Sequence, residues 1–368
     1  MNSSSGGSAN SAQPAHGDLK DVYDNFVGIV TKAREAHDPL NIVGGSTKTF
    51  YGRDPVGKPL ETRAFSGIID YEASELVVTV RTGTPLAEVE AVLAAEGQML
   101  GFEPPHFGAR GTIGGVVAAG LSGPRRPYGG AVRDAVLGVV VMSSHAERLR
   151  FGGQVMKNVA GYDVSRLMAG AMGTLGLLLE VSLRVAPQPH DERTMSWQVD
   201  EAGAHQRMIE LARRPWPLSA MSFDGELLRV RMSGHRDAVH DAEVSLAPEA
   251  IESAIHWHDL RDHKLPFFQS SEPLWRLSIL PAAAPLPVAG TWLWDWGGAC
   301  RWLKSADSAQ RIRAAAQAAG GHATLFRGGA EDSPFTPLDP VSWRLHRRIK
   351  KIFDPDDIFN PGRMYAGF

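Results

Sequence analysis

The sequence holds a single cysteine, Cys300, among 368 residues. An internal disulfide is thereby excluded, as is an iron–sulfur cluster held on four thiolates of this chain, so any such cluster needs a partner. No window reaches the roughly 18 continuous apolar residues of a spanning helix, and membrane contact is expected to be peripheral at most. Runs of one charge are missing too. The 38 basic and 41 acidic residues leave a net charge of -3, which argues against a nucleic-acid surface. Met1 to Gly17 are rich in Ser, Gly, Asn and Ala, without a basic start or an apolar segment, which speaks against a signal peptide. Residues 1–17 are expected to be a disordered tail, and the protein to be cytoplasmic.

What is present suits a globular protein with a large core: 43% of residues are hydrophobic and 21% charged. Val22, Phe26, Ile29, Val30 and Ala33 recur at helical spacing and predict an opening amphipathic helix from Leu19 to His37, before a short strand Leu40–Val43. Leu76–Arg81 reads as a buried strand, with Thr84 as N-cap and Pro85 as first-turn residue of a helix ending near Gly97. Val136–Met142 and Glu147–Phe151 flank a polar turn and predict a hairpin; Leu175–Val185 predicts another strand. Beyond Pro187–Pro189 the texture shifts to mixed helices and strands, with Trp-rich strands expected around Trp257, Trp275 and Trp292–Trp296. The fold class is thus α+β, with a second α+β unit after the break. The expected divisions are 18–189, a small cap at 190–321, and a C-terminal segment 322–368 returning to the first unit.

Three glycine-rich loops lie in the first half: Val43-Gly44-Gly45-Ser46-Thr47-Lys48, Gly111-Thr112-Ile113-Gly114-Gly115, and Gly161-Tyr162-Asp163 followed by Gly173-Thr174-Leu175. Glycine weakens regular structure, and close approach of bare backbone to a ligand would explain its density. In the first loop successive N–H groups could cradle phosphate oxygens. In the second, the rigid Pro104-Pro105 precedes, and Ala118 and Gly120 follow, so a flat ring could lie against the main chain. A tight turn opening a small-residue packing helix is the plainer alternative there, and a helix N-cap is the plainer role for Asp163. The set matches neither the GxGxxG dinucleotide fingerprint nor a phosphate loop ending in GK[ST].

The order of GGST, GTIGG, the hairpin VLGVVVMSS to LRFGG, KNVAGYD to GAMGTLG, and finally FDPDDIFNPGRM resembles the two-part FAD-binding fold of the vanillyl-alcohol oxidase and p-cresol methylhydroxylase superfamily. Within it, the strings Phe151–Asp163 and Gly320–Arg327 look most like the smaller FAD-binding subunits of glycolate oxidases. The resemblance implies that Val43–Lys48, Pro105, Gly111–Gly115, Ala118, Gly120, Gly161–Asp163, Gly173–Leu175 and Asn360 line FAD. It implies as partners a larger FAD-binding subunit and an iron–sulfur subunit, and a small 2-hydroxy acid as substrate, with any membrane contact on the inner face of the cell membrane. Covalent members often carry a histidine just after the paired glycines; Ser46 stands there, so a dissociable, non-covalent FAD is expected. The HxGDGN metal and substrate motif of the large 2-hydroxy acid dehydrogenases has no counterpart, and the cap is short for that group.

Oxidation of a 2-hydroxy acid calls for a base and a cation for the carboxylate, and the candidates are His322, Arg327 and His106. Each is equally open to a structural role. His256 and His258 would share one face of a strand, yet no acidic or thiol cluster accompanies them, so a solvated face is favoured over a metal pair. Trp292, Trp294 and Trp296 alternate and are expected in the core rather than at a binding face. Two other functions stay open: a self-sufficient flavoenzyme, whether oxidase or NADPH-dependent reductase, and a non-catalytic FAD-holding assembly subunit.

Overall fold

The structure is a computed structural model that describes residues 16–153, 162–329 and 333–368. Helix α1 (His16–Ala36) starts inside the stretch expected to be a tail. Its Phe26, Val30 and Ala33 are buried against Leu40, Leu60, Leu177 and Phe359, so the helical spacing seen in the sequence is the face that packs. Strands β1 (Leu40–Val43) and β2 (Lys58–Glu61) pair in parallel. The segment Ile358–Asn360 runs alongside β1: Leu40 N donates to Ile358 O at 2.7 Å and Asn360 N to Leu40 O at 2.9 Å.

A five-stranded sheet follows, built from β3 (Ile68–Glu72), β4 (Val77–Arg81), β5 (Val136–Met142), β6 (Arg148–Gly152) and β7 (Leu177–Arg184). Its order is β3-β4-β7-β5-β6, antiparallel throughout. Every residue of β5 is buried, as its unbroken apolar run requires. Helices α2 (Leu86–Ala95) and α3 (Ile113–Ala119) and the loop before them close one face. Pro85 holds the N-cap position of α2, one residue later than expected, because the Thr84 hydroxyl is engaged elsewhere. It donates to Arg81 O at 2.6 Å and accepts from Gly67 N at 2.9 Å, tying two loops together. The short α4 (Tyr162–Leu167) carries Asp163 in its first turn, exposed to solvent and already inside the helix rather than capping it.

The second unit is an eight-stranded antiparallel sheet. Its strands are β8 (Asp191–Gln198), β9 (Leu218–Phe223), β10 (Leu227–Gly234), β11 (Ala250–Glu252), β12 (Leu274–Ser278), β13 (Thr291–Asp295), β14 (Cys300–Lys304) and β15 (His322–Arg327). The order is β11-β8-β10-β9-β13-β14-β12-β15. The strand β15 thus belongs to this sheet, beyond the division expected at residue 321. Helices α5 (Glu201–Ala212), α6 (Arg236–Leu246) and α8 (Ala309–Ala318) cover one face; the other faces the first unit.

Two expectations fail around Trp257. The segment is a helix, α7 (Ile255–Arg261), not a strand. A helix turns about 100° per residue, so His256 and His258 project in different directions. His256 Nε2 instead meets Ser222 Oγ at 2.9 Å, and burial pushes its pKa down to about 4. Among the described residues no cluster suited to a metal ion occurs. Trp292 and Trp294 do share a strand face, but Trp296 leaves the strand in a turn with φ of +54°. Trp294 and Trp296 are both buried, in different clusters.

The units are joined by a buried charge network. Glu103 Oε1 pairs with Arg125 Nε at 3.1 Å and Arg231 Nη2 at 2.9 Å, while Arg125 Nη2 also reaches Glu192 Oε2 at 2.8 Å. Burial works to raise the Glu103 pKa, but the Arg231 and Arg125 guanidiniums prevail and hold it below the usual carboxylate range. A last helix, α9 (Pro340–Phe353), capped by Asp339, brings the chain back to the first unit. Its buried Lys350 donates to Thr174 O at 2.8 Å and Phe359 O at 2.9 Å and pairs with Asp354 at 2.7 Å, which fixes where the closing segment lies.

Candidate cofactor cleft and adjoining cavity

The first glycine loop leaves β1 and turns back at Ser46, which has φ of +55°. Among the described residues the N–H groups of Gly45 to Lys48 donate no hydrogen bond. A row of free backbone donors facing an open cleft is the arrangement an oxyanion fills. The cleft has a volume of about 160 Å³ and is walled by this loop, by Thr112, Gly115, Ala118 and Ala119 of the second, and by Met172, Asn360 and Arg363. A further 80 Å³ continues inward past Thr82, Gly114, Gly173 and Gly176, sharing Gly44, Gly115, Ala118 and Asn360 with the first space.

The glycines serve mainly the contact between the loops. A Cβ on Gly45 would collide with the Arg110 carbonyl, and one on Gly114 would lie 2.8 Å from Thr82 Cβ. Their density lets two loops and a strand end interlock. Asn360 completes the wall, its Oδ1 accepting from Ile42 N at 2.8 Å and its Nδ2 donating to Met172 O at 2.7 Å. Arg363 Nη2 donates to Thr49 O and Tyr51 O at 2.9 and 2.8 Å, bracing the far end of the first loop.

Of the residues the sequence singled out, Val43 to Lys48, Thr112, Gly114, Gly115, Ala118, Gly173 and Asn360 meet at this cleft. Ile113 and Leu175 do not line it, because their side chains point into the core of the first unit. Gly120 ends α3 in a left-handed turn, and the Thr174 hydroxyl is bonded to Ala171 O at 2.7 Å. Gly111 packs below the first loop near Thr47, and Pro105 lines a separate small cavity. Gly161 lies outside the described residues, as does most of the string before it. Arg363 and Met172 were missed; only the topology brings them here.

A second cavity, of about 490 Å³, shares Thr47 with the cleft. Phe50, His106, Phe107, Asp262, His263, Lys264 and Arg327 line it. His106 and Arg327 therefore come together, whereas His322 sits exposed at the opposite end of β15. The His106 ring is held by Glu90 at 2.9 Å, and the His106 backbone N–H donates to Asp262 Oδ1 at 3.0 Å. Arg327 stacks on Phe50 at 4.5 Å and has no ion pair among the described residues. Lys48 Nζ lies 5.7 Å from the Phe107 ring centre, and burial lowers its pKa to about 8 against the pull of the Asp262 carboxylate.

This chemistry fits FAD. The free N–H row and Lys48 suit a pyrophosphate, and the small-residue wall at Gly115 and Ala118 admits a flat ring. A family described as FAD binding domain matches residues 23–152, and one described as FAD linked oxidases, C-terminal domain, matches residues 335–364. The two matches take in the cleft residues 41–49, 112–119, 360 and 363, and with the relatives below they mark the chain as an FAD-linked oxidoreductase. More narrowly, it belongs to the family of the Escherichia coli (strain K12) protein named glycolate oxidase subunit GlcE, with which it is 44% identical over 337 residues, 92% of this chain and 95% of the relative. Glycolate oxidase subunit GlcD of Bacillus subtilis (strain 168) is 30% identical over 175 residues, 47% of this chain and 37% of that one. A solved structure of alkyldihydroxyacetonephosphate synthase superposes with a TM-score of 0.63 at 15% identity, covering 92% of this chain and 75% of the other, and shows the fold alone.

Proposed function

We propose that this chain is the FAD-binding subunit of a glycolate-oxidising complex, acting on glycolate or a similar 2-hydroxy acid. FAD would be held without a covalent bond and would accept the two electrons of the oxidation. The observation that carries this is that Gly45 to Lys48 line the cleft with N–H groups that have no partner among the described residues, together with kinship to the E. coli subunit. Ser46 offers no ring nitrogen for a histidyl linkage, and Cys300 is buried in the second unit, which supports a dissociable cofactor.

In this reading the first loop and Lys48 take the pyrophosphate, Gly115, Ala118 and Gly173 lie against the rest of the cofactor, and Asn360 fixes the spacing between Ile42 and Met172. Arg327 and His106 flank the cavity in which the 2-hydroxy acid would lie, with Arg327 supplying the cation for its carboxylate. With one cysteine the chain cannot hold a four-thiolate cluster, so electrons would leave through an iron–sulfur partner beside a larger flavin subunit. Among the described residues no helix is long and apolar enough to cross a membrane, and a cytoplasmic placement with peripheral contact is part of the proposal.

The test is an absorption spectrum of the purified chain before and after acid precipitation, followed by anaerobic glycolate. Flavin bands that move to the supernatant are expected. Absence of flavin after reconstitution with FAD would sink the reading. Bleaching by glycolate assigns turnover to this chain; bleaching only with the partner subunits present favours the assembly role.

A further inference from the structure

Helix α9 keeps one side against the first unit and leaves the other bare. Inward, Ile349 and Phe353 pack on the core and Lys350 bonds Thr174 O and Phe359 O. Outward, Val341, Leu345 and Ile352 are 56%, 52% and 74% exposed, and Ile352 is the most exposed large apolar side chain among the described residues. At about 100° per residue, their positions in the helix set all three within an arc of about 40°, along a ridge of about 16 Å. Single apolar residues scattered over a surface are ordinary, but an aligned row on a helix whose packing face is already used marks a contact surface.

The row is bordered by cations. Arg344, Arg347, Arg348 and Lys351 are exposed beside it, and the 14 residues of the helix include no acid. Lys351 donates to Pro355 O at 2.9 Å and Arg347 to Gly367 O, both neutral acceptors, and none of the four has an ion pair among the described residues. The nearby acids sit at the ends of the helix: Asp339 caps its start, Asp354 and Asp357 are taken by Lys350 at 2.7 and 3.2 Å, and Asp356 is half-buried. The exposed face thus gathers four positive charges on a chain whose net charge is -3. It complements an anionic surface that also admits aliphatic side chains, and a phospholipid bilayer offers both. A protein partner suits it less well. Protein hot spots lean on Trp and Tyr anchors, of which the exposed ridge has none, and an all-cation border sets no register.

We propose that the outer face of α9 lies on an anionic phospholipid surface, with Val341, Leu345 and Ile352 entering between the headgroups and Arg344, Arg347, Arg348 and Lys351 meeting the phosphates. The proposal rests on the peripheral contact of the reading above and gives that contact a surface; it does not depend on the flavin. The inner side of the same helix bonds Thr174 O and Phe359 O, next in the chain to Gly173 and Asn360 of the cleft, so the cofactor wall stands about one helix diameter, roughly 10–12 Å, from the lipid.

The experiment is flotation of the full chain with vesicles of phosphatidylcholine, either alone or mixed with phosphatidylglycerol, read as protein in the floated fraction. Flotation with the mixed vesicles at low salt, and its loss at high salt, are expected. Leu345→Ser and Ile352→Ser should each lower the partition constant about tenfold. Arg344→Gln combined with Arg348→Gln should lower it about 25-fold, about fivefold for each charge near such a surface. All four positions are exposed, so the thermal midpoint should stay unchanged. No flotation of wild-type protein with either vesicle, equal flotation with both, or flotation that the variants leave undiminished would overturn the proposal; the last outcome keeps peripheral contact and moves it to another face. The wild-type comparison needs no variant to fold. Flavin absorbance of the same samples separates this from the cofactor reading: protein that keeps its flavin and fails to float removes the membrane face alone, and floating protein without flavin removes the cofactor reading alone.

Discussion

The cleft and the cavity lie side by side, yet they are built from opposite materials. The cleft is backbone: free N–H groups, glycines locked by neighbouring loops, and an asparagine that bonds two main-chain atoms. The cavity is side chain: aromatic rings with two cationic groups, two imidazoles and a carboxylate. A backbone site is specified by where side chains are forbidden. The other depends on which side chains arrive from four separate segments. The first should tolerate substitution around it and fail at single glycines; the second should change its preference residue by residue.

Gly45→Val would break the contrast most sharply. With the Arg110 carbonyl in the way, the loops cannot interlock, and the expected outcome is protein without retained flavin, read by absorbance after gel filtration. Next in size is Glu103→Gln, which leaves Arg125 and Arg231 buried without their acid and should cost about 3–5 kcal/mol in denaturant unfolding. The Glu103 pKa is depressed on folding, so its stabilisation is present above the usual carboxylate range and is lost as pH falls through the lowered value. Flavin retained at a loosened junction would show that the cleft stands without the cavity.

Lys48 lines the cleft and lies 5.7 Å from the ring of Phe107 in the cavity wall. Lys48→Met should weaken FAD binding about tenfold, the lower range for a hydrogen bond to a charged group, while relieving the cost of burying an ammonium. Because its folded pKa is lowered to about 8, wild-type affinity for FAD should fall as pH rises through 8, and the variant should lose that dependence; fluorescence quenching of free FAD reads both. The smallest effect is expected at Asp295, in the lining of the small cavity behind Phe326. Burial raises its pKa to about 7, so the protein loses stability as pH climbs from about 4 through 7. Asp295→Asn should flatten that slope and leave FAD affinity untouched.

These contrasts also explain what the sequence revealed. The cleft was legible because its requirements are local: a strand end, two glycines and a hydroxyl row in Val43–Lys48, and a tight loop in Gly111–Gly115. Even there, Ile113 and Leu175 went to the core, since within a loop alternate residues face opposite ways and spacing alone does not say which. The error at Trp257 has a plain cause. Trp and His fit strand and helix alike, and seven residues are too few for a period to show. His263 was invisible for a different reason: in the run Asp262-His263-Lys264-Leu265 nothing marks it, and its partners Phe107, Trp302 and Phe326 come from three other segments.

Asn360 and Arg363 close a cleft whose other walls come from residues 41–49, 112–119 and 172–176. During synthesis the first unit can gather its sheets while the second is still being made, but its cofactor site stays open on one side until residue 360 has left the ribosome. FAD capture is therefore tied to the synthesis of residues 360–363, and a product that stops short of Asp354 would lack one wall of the cleft.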